Sequence, residues 1–133
     1  LAEFPQRTLR IANVVARFVD APEDARTVDA FCRASGLFLA DRTFRGWCRA
    51  EGIEASALHD LARVLRAARH AEQHDCVIEA CLDGDVRSIA ALFARGGLTQ
   101  WIGAARPRAG DILLRQQYVT VRPVVEAVRM LLS

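Results

Sequence analysis

From Ser56 to Asp83 the chain contains neither Gly nor Pro. Both residues interrupt helices, Gly through backbone entropy and Pro through its missing donor and ring clash. A stretch of that length without either can form one long helix. Leu58, Leu61, Leu65 and Ala68, with Val64 beside them, supply its apolar stripe at helical spacing. A break near His74-Asp75 is equally allowed, and Asp83-Gly84-Asp85 is a clear stop. Elsewhere Gly and Pro divide the chain into shorter helical segments, and the predicted fold class is all-α.

The segment before the long run opens at Pro5, which suits a first helical turn, and Leu9, Ile11, Val14, Val15, Phe18 and Val19 then recur at helical spacing. Asp20 to Asp24 contains Pro22 and reads as a loop. Thr27 is a good N-cap for a short helix through Ala34, which Ser35-Gly36 ends. A second short helix runs from Ala40 or Asp41 to Glu51, with Gly52 as its stop, and Ser56 is placed to cap the next. Beyond Gly84 the pattern predicts helices over 87–95 and 99–105, a loop over 106–110, a helix from Ile112 to Tyr118 capped by Asp111, and a last helix opened by Pro123. Tyr118 to Arg122 is β-like in composition, so a short strand is an alternative there. VDAFCRASGL at 28–37 and IAALFARGGL at 89–98 share their apolar and Gly positions, a faint internal repeat.

The 133 residues, 52% of them hydrophobic, suffice for a real core. No apolar run approaches the roughly 18 residues that span a bilayer, and no segment reads as a secretory leader, so a cytoplasmic location is expected. Leu1 stands where an initiator Met would, which points to a fragment of a longer chain. All 18 basic residues are Arg, the better residue for forked contacts to phosphate and guanine edges. The net charge of +2 decides little, but its distribution is blocky. Residues 33–50 and 61–69 are basic, 70–86 acidic and 87–109 basic again, which suggests two surfaces for a polyanion.

Residues 28–48 carry the strongest functional signal. A helix-turn-helix needs short helices at a steep angle, apolar inner faces, a Gly at the turn and an apolar residue after it. Val28, Phe31 and Cys32 face inward from the first helix, Gly36 turns, Leu37 plugs the corner, and Phe44, Trp47 and Cys48 face inward from the second. That leaves Arg42, Thr43, Arg45, Gly46 and Arg49 outside, the surface such a helix presents to a major groove. Arg42, Arg45 and Thr43 are assigned to base edges, Arg49 and Arg33 to phosphate. Gly46 costs its helix about 1 kcal/mol against Ala, which close approach to a DNA backbone or a neighbouring helix would justify.

The stretches TVDAFCRASGL, ADRTFRGWCRAEGI and ALHDLARVLRAARHA resemble the DNA-binding domain of AraC/XylS-type transcription regulators. The resemblance covers roughly residues 8–100. It implies a first helix-turn-helix subdomain over 1–55 with Asp41 opening the recognition helix, a linker helix over 56–83, and a second, degenerate helix-turn-helix subdomain over 84–133. It further implies sequence-specific binding of double-stranded DNA in transcription regulation, with a sensing or dimerisation domain attached elsewhere. Ile89, Leu92, Phe93, Gly97, Leu98 and Thr99 match the opening of the second motif, which nominates Thr99, Gln100, Arg106 and Arg108 as further DNA contacts. The chain departs from the pattern through extra residues near Phe38-Leu39, a longer stretch from Gly52 to Ile89, and Pro107 and Gly110 across the second recognition helix.

A helical protein-interaction or dimerisation module that has lost DNA is the alternative, favoured by the damaged second motif and the acidic block. His70, His74, Cys76 and Cys81 lie close enough in sequence to raise a zinc site, but their spacing matches no zinc signature. Half-buried thiols at Cys76 and Cys81, and core thiols at Cys32 and Cys48, are the plainer reading. Glu79, Asp83 and Asp85 lack a calcium-loop pattern. With no Gly-rich phosphate loop and no nucleophile–base pairing, neither an enzyme nor a cofactor is expected.

Overall fold

The computed structural model describes residues 4–103, 108–116 and 121–132. It contains seven α-helices: α1 (Gln6–Val19), α2 (Val28–Ala34), α3 (Asp41–Ala50), α4 (Ala55–His74), α5 (Val86–Arg95), α6 (Ala109–Arg115) and α7 (Arg122–Leu132). Short 3-10 turns lie at Ile78–Cys81 and Thr99–Trp101. Every regular element among the described residues is helical, so the all-α expectation holds. No helix among them is long and apolar enough to cross a membrane.

One cluster of buried side chains draws on both halves of the chain, from Ile11 to Val128. Its axis is α4, whose residues 61–68 are buried on every side. A helix apolar on one stripe sits on a surface, whereas one buried all round must be wrapped by others. Here α1, α2, α3 and α6 pack around α4, and the turn at Ile78–Cys81 folds back along it. α7 lies against α1, the most extensive helix pairing in the fold. Phe18, Phe31 and Phe44, from α1, α2 and α3, form a chain of edge-to-face contacts with centroids 5.0 and 5.4 Å apart.

Local rules place most boundaries. The Thr27 hydroxyl accepts from the Ala30 amide at 3.1 Å and starts α2. Gly36 and Gly52, with φ +73° and +69°, turn the chain after α2 and α3. Asp75 takes the left-handed conformation after His74, so the long run breaks there and α4 stops short of residue 83. Some expected caps differ. α4 starts at Ala55, with Glu54 at the cap position; Ser56 lies inside the first turn and donates to the Glu54 carboxylate at 3.0 Å. Asp111 also lies inside a first turn, because α6 begins at Ala109. Asp85 caps α5, accepting from the Ser88 amide at 2.8 Å. Of the helix expected over 99–105, residues 104 and 105 lie outside the described residues, and 99–103 hold only the turn Thr99–Trp101. The strand alternative at 118–122 falls mostly outside the described residues, and Arg122 already belongs to α7.

The basic block at 61–69 does not form a polyanion surface. Arg63 and Arg66 point into the protein, 8% and 4% exposed. A fork of Arg63 bonds, from Nε at 3.0 Å and Nη2 at 2.7 Å, holds both oxygens of Asp24, whose side chain is 1% exposed. Asp24 also accepts from the Asp83 amide at 2.9 Å, and Arg63 donates to the Asp83 carbonyl at 3.1 Å. Arg66 donates to the carbonyls of Ala21 and Cys81 at 2.9 and 3.1 Å. His59 donates through Nε2 to the Ala25 carbonyl at 2.6 Å, and burial pushes its pKa down. Positions 59, 63 and 66 share one face of α4, and that face clamps the backbone of the 20–25 loop and of the segment before α5.

Burial alone would raise the Asp24 carboxyl, but the Arg63 fork and the Asp83 and Ala25 amides outweigh it and lower the pKa below its ordinary 3.8. A depressed acid stabilises the fold above its unfolded pKa and ceases to as pH falls through the folded value. Replacing Asp24 with Asn strands a buried guanidinium and is expected to cost about 3 kcal/mol at neutral pH. Urea unfolding of both proteins checks this, and the gap between them should narrow as pH falls below 3.8.

Candidate nucleic-acid interface

The corner between α2 and α3 is built from the inside outward. Phe31, Cys32, Phe44 and Cys48 are fully buried, and Val28 nearly so, while Leu37 packs half-buried in the corner. Trp47, read as an inward residue, is only half-buried; the Arg10 guanidinium lies over its ring, 4.3 Å from the centroid. Burial pushes the Cys32 thiol up to about 11 and the Cys48 thiol up to about 12, so both are neutral core groups. Arg17 on α1 donates from Nε to the Ser35 carbonyl at 2.9 Å and braces the turn from behind.

Seating Phe44 and Cys48 against α1, α2 and α4 leaves the remaining surface of α3 outward. Arg42, Thr43, Arg45 and Arg49 are exposed, with Gly46 and Asp41 half-exposed. Arg42, Arg45 and Arg49 occupy one flank of the helix and Thr43 the other, with Gly46 between them. Arg45 reaches the Asp41 carboxylate one turn back at 3.8 Å, and Arg33 pairs with Asp29 on α2 at 3.1 Å. These are exposed i,i+4 pairs of small strength, and a phosphate displaces such a partner readily. Arg42 and Arg49 have no acidic partner among the described residues. Next to the ridge, Arg7 pairs with Glu51 at 3.0 Å. The structure thus gathers Arg33, Asp41, Arg42, Thr43, Arg45, Gly46 and Arg49 around one corner and adds Arg10 and Arg17, which the sequence reading did not nominate. Their neighbours come from α3 and the turn, which local spacing on α1 does not reveal.

The second motif is different. Gly97 repeats the left-handed corner with φ +66°, and its amide bonds the Ala94 carbonyl at 3.1 Å, as the Gly36 amide bonds that of Arg33. No recognition helix follows over 99–103. Thr99 and Gln100 are exposed on a 3-10 turn packed against α5, and Arg108 is exposed just before α6. Arg106 lies outside the described residues. Trp101 is half-buried, and its indole N–H is buried without a hydrogen-bond partner among the described residues.

The zinc alternative has no ligand set: among the described residues no three His, Cys, Asp or Glu side chains are grouped to hold a metal ion. His70 and His74 lie a turn apart on α4 with ring centroids 6.2 Å apart, and the left-handed Asp75 then swings the chain away from the helix. Cys76 and Cys81 are half-buried, as the sequence led us to expect. Glu79 accepts from the Gly103 amide at 2.9 Å. In comparisons with known proteins, no family model, no curated protein and no solved structure matches the chain.

Two features of the corner have no internal explanation. A Cβ built at Gly46 meets nothing within 4 Å, so no neighbouring helix requires the glycine. Phe38 holds φ +53° while its side chain is fully exposed, a conformation that costs an L-residue roughly 1–2 kcal/mol. Gly46→Ala is expected to stabilise the free protein by about 1 kcal/mol. Asn tolerates the left-handed region, and Phe38→Asn is expected to stabilise by about as much because no packing is lost. Denaturant midpoints at constant slope check both.

Proposed function

We propose that the chain binds double-stranded DNA in transcription regulation, with α3 entering a major groove. The observation that carries this reading is the α3 ridge: Arg42 and Arg49 exposed with no acidic partner among the described residues, beside Thr43 and a glycine that the protein's own packing does not need. A slim helix face with fork-shaped donors suits base edges and flanking phosphates. Gly46 lets the backbone itself come close to a sugar–phosphate strand. The resemblance of roughly residues 8–100 to AraC/XylS-type regulators supports the same assignment. Arg42, Arg45 and Thr43 read bases; Arg49, Arg33 and Arg10 neutralise phosphates. Thr99, Gln100, Arg106 and Arg108 add at most backbone contacts. An attached sensing or dimerisation domain and a cytoplasmic location belong to this reading, and no catalytic step does.

Phe38 favours a second reading, a protein-interaction module. A fully exposed aromatic side chain at a strained turn, beside a hollow of about 480 Å³ lined by Asp29, Arg33 and Leu39, fits a partner surface.

Binding to mixed genomic DNA, followed by selection from a random duplex pool, separates the two. Affinity should fall steeply with salt. Arg49→Ala should lower the slope of log affinity against log salt by about 1, and Arg42→Ala should cost about 1–3 kcal/mol and relax preference at one position of the selected site. Arg129→Ala on α7, exposed and outside the basic blocks, serves as the control that leaves binding unchanged. Salt-insensitive binding, or no effect of either ridge substitution, rejects the DNA reading and leaves the interaction module.

A further inference from the structure

The end of α4 holds two thiols that the DNA-binding reading does not use. The Sγ atoms of Cys76 and Cys81 lie 3.9 Å apart across the 3-10 turn, in mutual S–H···S contact. Backbone bonds anchor each residue separately. The Cys76 amide donates to the Ala71 carbonyl at 3.1 Å, fixing it to the last turn of α4. The Cys81 carbonyl accepts from Arg66 at 3.1 Å, fixing it to the middle of the same helix. Two attachments to one rigid rod hold the sulfurs facing each other. A disulfide needs them at about 2.05 Å, so closure must bring the sulfurs nearer by about 1.9 Å. Access exists as well: Cys81 lines an open hollow of about 430 Å³ with Pro22, Arg66, His70 and His74. Cys32 and Cys48 are fully buried and have no such opening.

We infer that Cys76 and Cys81 form a redox-active dithiol that a low-molecular-weight disulfide oxidises to an intramolecular disulfide. One cysteine loses its proton and its sulfur attacks the reagent's S–S bond, giving a mixed disulfide and one free reagent thiolate. The other cysteine, deprotonated in turn, attacks the protein sulfur; the Cys76–Cys81 bond forms and the second reagent thiolate leaves. The released thiolates take up the protons lost by the cysteines, so both protein thiols are oxidised and one reagent disulfide is reduced to two thiols. Burial and the neighbouring Cys76 push the Cys81 thiol up to about 11. That makes Cys81 a poor leaving group when a reductant attacks the Cys76 sulfur. The bridge also staples the turn to the end of α4 beside the Arg66 bonds, which favours the folded chain.

The test equilibrates the whole chain with mixtures of oxidised and reduced glutathione, followed by acid quenching, alkylation and intact-mass and peptide analysis. The expected product has lost the mass of two hydrogens, regains it with dithiothreitol, and maps to a Cys76–Cys81 link, with Cys32 and Cys48 alkylated after unfolding. The oxidised chain should show a higher urea midpoint than the reduced one. Cys76→Ser and Cys81→Ser should each stop at a glutathione adduct on the remaining thiol. Circular dichroism confirms that each species tested is folded. The inference is overturned if the folded wild-type chain yields only glutathione adducts, stays fully reduced in excess oxidised glutathione, or forms a link through Cys32 or Cys48.

Discussion

The forked bond between Asp24 and Arg63 fixes the arrangement on which the rest depends. Asp24 sits in the loop between α1 and α2, Arg63 in the middle of the central helix, and Asp83, which both contact, in the segment leading to α5. A single carboxylate therefore sets the distance between elements far apart in sequence. Such a pair adds little net energy over a hydrophobic filling, but it has one geometry where packed side chains tolerate several. Together with the Arg66 bond to Ala21 and the His59 bond to Ala25, it holds the 20–25 loop that leads into α2.

Much of the frame was legible because it follows from local chemistry. Thr27, Gly36 and Gly52 mark the ends they suggest, since a cap or a positive φ is decided within a few residues. The inward set Val28, Phe31, Cys32, Phe44 and Cys48 was readable from spacing, so the outward set Arg42, Thr43, Arg45 and Arg49 was readable by subtraction. Charge counted along the chain misled at Arg63 and Arg66. The spacing of His59, Arg63 and Arg66 on one face of an otherwise apolar helix was the available sign that these charges turn inward. Arg10 over Trp47 and Arg17 at Ser35 were illegible, because each is defined by a partner from another element. Ser56 and Asp111 show the weakness of cap residues as markers: each lies inside the first turn it was expected to open.

The corners at Gly36 and Gly97 put a limit on the motif itself. Both glycines are left-handed and bond back to the equivalent carbonyl, and both precede a leucine turned toward the core. After Gly36 the chain offers an uninterrupted helix with a buried aromatic and a thiol facing in. After Gly97, over the described residues 98–103, it offers a 3-10 turn with a half-buried tryptophan. The corner fixes a change of direction. Only the sequence beyond it determines whether a groove-sized helix is presented.

The pairing of α1 with α7 has a consequence for how the chain is made. Ile11, Val14, Val15 and Phe18 give α1 an apolar face that is complete once residue 19 has left the ribosome. The helix that lies most extensively against it begins only at Arg122. Contacts closing across that separation are slow to form, because the intervening chain must be brought together first. Until α7 has emerged, the part of that face on which it docks stays uncovered, and the nascent chain is a candidate client for chaperones over that interval.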